Sequence, residues 1–220
     1  MPHDAPAVHA LLRVAQLDAL IWELPRPDWA RVSLQRAPWV VVRRSARRTG
    51  MWSVGVRGAL RAQRCAAWLP DFAVQACITP QRLAARLLWR QHALGAANPA
   101  VAVLDQVAAI LAAHGHAGRW GPAGSVGFEL VSALPCTSAH SDLDLVLTAD
   151  QPIARAEAAA LHADLSALPV RIDLLLETPQ GAVALCEYAT AGPLMLLRTA
   201  QGPRLVCDPW NSARTAAKSA

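Results

Sequence analysis

Two short stretches constrain this chain more than any others. Asp142-Leu143-Asp144-Leu145-Val146-Leu147 alternates acidic and apolar residues, and Arg171-Ile172-Asp173-Leu174-Leu175-Leu176-Glu177 repeats the theme later in the chain. Strict alternation marks a half-buried strand, whose successive side chains point to opposite faces. Asp142 and Asp144 therefore project from one face, and Leu143, Leu145 and Leu147 from the other. Two carboxylates at that spacing repel each other, which costs stability unless a cation bridges them. Mg²⁺ meets that need, because it takes oxygen ligands and accepts few carboxylates together with substrate phosphates. Asp173 can lie beside the pair if the two strands are neighbours.

Upstream, Gly124-Ser125 begins a predicted helix over 126–134. Glycine lets backbone approach a ligand closely. A helix N-terminus offers free N–H groups and the positive end of a dipole, which suits a phosphate, and Ser125 adds a hydroxyl donor. Either motif alone is commonplace: a solvated strand face, a simple turn. In this order they form the equipment for phosphoryl or nucleotidyl transfer.

The chain has 220 residues, of which 54% are hydrophobic and 17% charged, so it can bury a core and is not a disordered polymer. Alanine drives the mean hydropathy of +0.24. No stretch approaches the ~20 unbroken apolar residues of a spanning helix, and Arg13 and Asp18 interrupt the apolar N-terminal run, so the expectation is a cytoplasmic protein without membrane attachment. The five cysteines are scattered singly with no Cys-x-x-Cys, which argues for free thiols and against a disulfide framework or zinc knuckle. Net charge is +5, and Lys218 is the only lysine. Arginine suits bidentate phosphate contacts, but no basic, aromatic-interleaved stripe points to nucleic acid.

The predicted organisation is a smaller N-terminal α/β domain over 1–95 and a catalytic α+β domain over 96–220, divided at the polar break 95–98. Residues 1–15 read as a loosely attached lead-in. Strands are expected at 39–42 and 51–56, with Arg43, Arg44, Arg47 and Arg48 in the turn between them. A short helix over 58–69 would bring Arg57, Arg61 and Arg64 together. Thr79-Pro80 and Asn98-Pro99 are helix-start signals. The second half reads as a turn-rich approach at 120–125, the helix 126–134, a strand 142–147, a helix 154–168, a strand 170–177, a helix 181–188 and a hairpin around Gly202-Pro203.

Arg57, Arg61 and Arg64 are candidate phosphate ligands, with a solvated basic face as the plain alternative; Arg43 and Arg44 are similar, and Arg119, just before the Gly-Ser turn, is a further candidate. His140 is a candidate general base, although a loop histidine is more often merely exposed. Glu129 is expected to support the turn by hydrogen bonding. Trp120 and Trp210 are candidates to line an adenine pocket.

The order Gly124-Ser125, Asp142-x-Asp144, Asp173 resembles the nucleotidyltransferase superfamily of DNA polymerase β. That resemblance implies a small mixed sheet backed by helices, and two Mg²⁺ ions held by Asp142, Asp144 and Asp173. Gly127-Phe128-Glu129 replaces the arginine that minimal members usually carry after Gly-Ser, which disfavours an ordinary NTP as donor to RNA or a small molecule. A narrower resemblance covers most of the chain beyond the first 15 or so residues. Trp39-Val40-Val41-Val42-Arg43-Arg44, Val54-Gly55-Val56-Arg57-Gly58, Trp120-Gly121-Pro122-Ala123-Gly124-Ser125-Val126-Gly127-Phe128-Glu129-Leu130, Ser141-Asp142-Leu143-Asp144-Leu145, Leu176-Glu177-Thr178-Pro179, Arg198-Thr199 and Asp208-Pro209-Trp210 are similar to the phosphoribosyl-dephospho-CoA transferases of malonate decarboxylase. The resemblance implies transfer of a phosphoribosyl-dephospho-CoA group from triphosphoribosyl-dephospho-CoA to a serine of the apo acyl carrier subunit. It further implies that Asp142, Asp144 and Asp173 serve metal and proton transfer and that Gly124 and Ser125 bind the leaving pyrophosphate.

Overall fold

The computed structural model describes residues 6–46, 48–60, 62–91, 98–190 and 192–211. It is an α+β structure in which the described residues form two six-stranded sheets, each with its own hydrophobic cluster.

The first sheet is built from β1 (Leu11–Val14), β2 (Ile21–Trp22), β3 (Trp39–Val42), β4 (Met51–Arg57), β5 (Arg64–Pro70) and β6 (Val74–Ile78), with helix α1 (Asp28–Arg36) between β2 and β3. The strand order is β2-β5-β4-β3-β1-β6, and every neighbouring pair is antiparallel. Three expectations change here. The N-terminal half is an antiparallel sheet, not an alternating α/β unit. The expected lead-in contains β1, an inner strand hydrogen-bonded on both sides, because Leu11, Leu12 and Val14 can be buried only within a sheet. The expected helix at 58–69 is largely strand: β5 pairs with β4 from Arg57↔Arg64 to Met51↔Pro70, and this long pairing outweighs helical spacing. Ala30 and Leu34 of α1 join Leu12, Val40, Val54 and Leu69 in the core.

The second half comprises α2 (Pro80–Ala85), α3 (Pro99–Ala102), α4 (Leu104–Ala113), β7 (Trp120–Pro122), α5 (Gly124–Ser132), β8 (Leu143–Thr148), α6 (Arg155–Ser166), β9 (Ile172–Thr178), β10 (Gly181–Ala184), α7 (Leu185–Thr190), β11 (Met195–Thr199) and β12 (Gly202–Val206). The order is β12-β11-β10-β9-β8-β7, with β8 and β9 parallel and all other pairs antiparallel. Both cap signals act as read: Thr79 Oγ1 accepts from the Arg82 N–H and Asn98 Oδ1 from the Ala100 N–H. The turn-rich approach at 120–122 is the short strand β7, and the expected helix at 181–188 splits into β10 and α7. Gly202-Pro203 lies within β12, so the hairpin turns one step earlier, at 200–201.

Residues 80–91 precede the break expected at 95–98, yet Ala84 and Trp89 pack into the second core. Residues 92–97 lie outside the described residues. The contact that seats α2 is backbone on backbone. A Cβ on Gly121 of β7 would stand 1.7 Å from the Pro80 carbonyl oxygen. Gly121→Ala must therefore push α2 off the sheet, and its expected cost is at least the ~1–3 kcal/mol typical of overpacking, read as a lower urea midpoint at unchanged slope.

Candidate functional site

Alternation along β8 and β9 decides which side chains meet. Leu143, Leu145, Leu147, Leu174 and Leu176 enter the helix-covered core. The opposite face carries Asp144 on β8, and Asp173 and Glu177 on β9. Because the pair is parallel and in register, Asp144 lies directly across from Asp173. Helix α5 then brings its first residue against Asp144. Gly124 has φ +55°, and a Cβ there would stand 1.8 Å from Asp144 Oδ2. Its neighbour Ala123 donates its N–H to the Asp144 carbonyl at 2.9 Å. Only glycine permits both that backbone conformation and that approach.

These residues line one wall of a cleft of about 800 Å³ between the two sheets. The opposite wall comes from the first sheet and includes His9, Arg43, Arg57 and Arg64. Arg57 and Arg64 do lie together, as a cross-strand pair at the end of the β4–β5 hairpin and not on a helix. Arg57 Nη2 also donates to the Cys136 carbonyl at 3.3 Å, which ties the first sheet to the loop after α5. Burial pushes the Asp144 carboxyl above its ordinary pKa, with Asp173 and then Asp142 adding like-charge repulsion, while His9 and Arg64 oppose the shift. Among the described residues no three His, Cys, Asp or Glu side chains converge closely enough to hold an ion. Asp142 precedes β8 instead of sharing a strand face with Asp144, and it is not among the lining residues; Asp144 and Asp173 are the residues that could hold Mg²⁺, a cation that takes few carboxylates and completes its shell with substrate phosphates.

The other expected residues take several positions. Ser125 is half-buried in the first turn of α5, next to Gly124. Arg171, which the sequence reading did not single out, lines the cleft and lies 3.3 Å from Asp173. Arg119 is not brought to the cleft: it sits beyond the far end of β7, where its guanidinium donates to the Gly115 carbonyl at 2.9 Å and approaches His116 Nδ1 at 2.8 Å. Arg61 and Arg47 lie outside the described residues. His140 is exposed and not among the lining residues. Trp120 is buried against Trp89, and Trp210 packs edge-on to Tyr188 and donates to the Ala149 carbonyl, so neither lines the cleft. Glu129 is 2% exposed and accepts from the Cys136 and Thr137 N–H groups, both at 2.8 Å, and from the Thr137 hydroxyl at 2.7 Å. It supports the loop leading into β8, not the Gly-Ser turn. The described cysteines are all free, and burial pushes the Cys136 thiol up to about 11.

Sequence reading missed the contact that closes the cleft. Glu177 of β9 pairs with Arg44, just after β3, and its Oε1 lies 3.3 Å from His9 Nε2. His9 is held at φ +70° immediately before β1. Burial alone would raise the Glu177 pKa, but His9 beside it and Arg44 paired with it outweigh burial, and the carboxyl lies below its ordinary value. The signal available in the sequence was only an acid at the end of an alternating strand and an arginine pair after a β-branched run.

A cleft with carboxylates on one wall and arginines on the other can take a phosphate-bearing ligand, since arginine makes bidentate phosphate contacts. Comparison with known families is specific. Residues 85–209 match the phosphoribosyl-dephospho-CoA transferase MdcG C-terminal domain, and residues 7–80 match the MdcG N-terminal domain. The phosphoribosyl-dephospho-CoA transferase of Azotobacter vinelandii is 40% identical over 206 residues, 93% of this chain and 94% of that protein. Those of Pseudomonas putida (41% over 198 residues, 87% and 93%) and Klebsiella pneumoniae (37% over 209 residues, 94% and 98%) are similar as well. The chain belongs to the phosphoribosyl-dephospho-CoA transferase family. No solved structure matches it, and no helix among the described residues is long and apolar enough to cross a membrane.

The Glu177 contact sets a pH dependence. A carboxyl with a depressed folded-state pKa contributes stability that is fully present above its unfolded value, near 4.5, and is lost as pH falls through the folded value. Glu177→Gln is expected to cost about 1–3 kcal/mol at pH 7 and to flatten the fall of the unfolding free energy below pH 4.5, measured by urea titration across pH.

Proposed function

We propose that this chain transfers the phosphoribosyl-dephospho-CoA group from triphosphoribosyl-dephospho-CoA to a serine of the apo acyl carrier subunit of malonate decarboxylase, with release of pyrophosphate. The observation that carries the reading is the in-register pair Asp144–Asp173, set against the α5 N-terminus and faced by Arg57 and Arg64, in a chain whose two halves both match the family. By its chemistry the reaction is nucleotidyl transfer to a protein hydroxyl. A mixed sheet backed by helices, with acids on adjacent strands, is what the resemblance to the polymerase β superfamily implies, and it supports that class.

The serine oxygen forms a bond to the α-phosphorus of the 5″-triphosphate, and the bond from that phosphorus to the bridging oxygen of the β-phosphate breaks. Asp173 takes the serine proton. The first N–H groups of α5, at Gly124 and Ser125, receive oxygens of the departing pyrophosphate. Arg57 and Arg64 face the same phosphates from the first sheet and orient the chain. Asp144 and Asp173, with Asp142, are the residues that would hold Mg²⁺, in two ions by resemblance to the superfamily. When bound, the metal would supply positive charge against the negative charge that develops on the phosphate oxygens. Cytoplasmic localisation and a protein partner in place of nucleic acid complete the reading.

The test is the intact mass of the apo carrier subunit after incubation with this protein, Mg²⁺ and triphosphoribosyl-dephospho-CoA. A gain equal to the prosthetic group supports the reading. No gain, with pyrophosphate released from ordinary NTPs, would replace it with an NTP-dependent nucleotidyltransferase. Asp142→Asn and Asp144→Asn are each expected to lower the transfer rate by roughly 10²–10³-fold, the equivalent of several kcal/mol of charge stabilisation, while leaving the circular dichroism unchanged. Gly124→Ala is expected to abolish transfer as well, since it forces Asp144 aside.

A further inference from the structure

We infer that a second cavity, next to the first, holds the dephospho-CoA arm of the donor. The inference rests on the proposed function and assigns the part of the substrate that does not react. The donor carries two separate phosphate groups: the 5″-triphosphate, which is cleaved, and the diphosphate that joins the adenosine to the pantetheine chain. The Asp144 wall and α5 account for the first only.

The second cavity, about 570 Å³, shares His9, Val41, Arg43, Leu175 and Arg198 with the cleft, so one extended ligand can occupy both. Its character is different. No carboxylate lines it, whereas Arg43, Arg44 and Arg198 do. Arg44 is already committed to Glu177. Arg198, on β11, is exposed and makes no ion pair among the described residues. Arg43 reaches Glu23 only at 3.7 Å, with both side chains well exposed. Two guanidinium groups facing a cavity without acids favour an anion there. Between them, Val8, Val41, Leu175 and Leu196 offer an apolar surface suited to the uncharged pantetheine chain. The diphosphate thus lies at Arg43 and Arg198, the pantetheine runs along Leu175 and Leu196, and the triphosphate end lies against Asp144. The walls come from both sheets, so the donor site is complete only when the first sheet is in place against the second.

Calorimetry with dephospho-CoA and, separately, with Mg²⁺–tripolyphosphate tests this on the full chain. Leu196 lines only the second cavity and is partly exposed, so Leu196→Trp fills the cavity without disturbing a core. Leu196→Trp and Arg198→Ala are each expected to weaken dephospho-CoA binding by about tenfold or more, and Leu196→Trp to leave tripolyphosphate binding unchanged. Asp144→Asn is expected to do the reverse. A protein that modifies the carrier subunit, but whose two cavity variants bind dephospho-CoA as the wild type does, overturns this inference alone. A protein that neither modifies the carrier nor binds dephospho-CoA overturns the proposed function and this inference together.

Discussion

The parallel pairing of β8 with β9 is the constraint on which the rest of the site depends. Among the described strands it is the single parallel pair in an otherwise antiparallel sheet, and a parallel pair requires a crossover, supplied here by α6. Its register is set by burial. Leu143, Leu145 and Leu147 on one strand, and Leu174 and Leu176 on the other, occupy the same core. A slip of one residue would turn those leucines out and drive Asp144 or Asp173 into the apolar cluster. The hydrophobic effect therefore enforces the closeness of two like charges, and the repulsion between them adds to the upward shift of the Asp144 pKa.

The two sheets have separate cores, so the cleft between them needs its own fastening. Glu177 supplies it from the same face of β9 as Asp173, through Arg44 and His9. The left-handed backbone of His9 is sparsely populated for a residue with a side chain and persists where surrounding structure enforces it. Here β1, paired on both sides, is that enforcement. The segment just before β1 thereby reaches the cleft and stands near enough to Asp144 to oppose its pKa shift.

Legibility followed the range of the interactions. The Thr79 and Asn98 caps, the alternating strands and the helix after Gly124 depend on neighbours in sequence and were readable there. β5 was not, because an alanine-rich stretch with arginines at helical spacing satisfies a helix locally and becomes a strand only against the full length of β4. β1 was not, because its short apolar run signals nothing until β3 and β6 lie on either side. Arg119 looked close to the Gly-Ser turn by number, yet β7 intervenes and carries it to the opposite end of the strand. Arg57 and Arg64 were rightly grouped, but for a reason of helix spacing that the hairpin replaces.

By itself the sequence determined the chemistry carried by each local element: acids in an alternating strand, a glycine where a helix begins, arginine as the cation. Period-two alternation and helix capping are written in a few consecutive residues, and that is why they could be read. Only the tertiary structure decided that Asp173 stands across from Asp144, that Gly124 is required by a carboxylate and not by a turn alone, and that His9, Arg44 and Glu177 join two sheets around one cleft. Those outcomes depend on register and on packing between residues far apart in the chain, which no local pattern specifies.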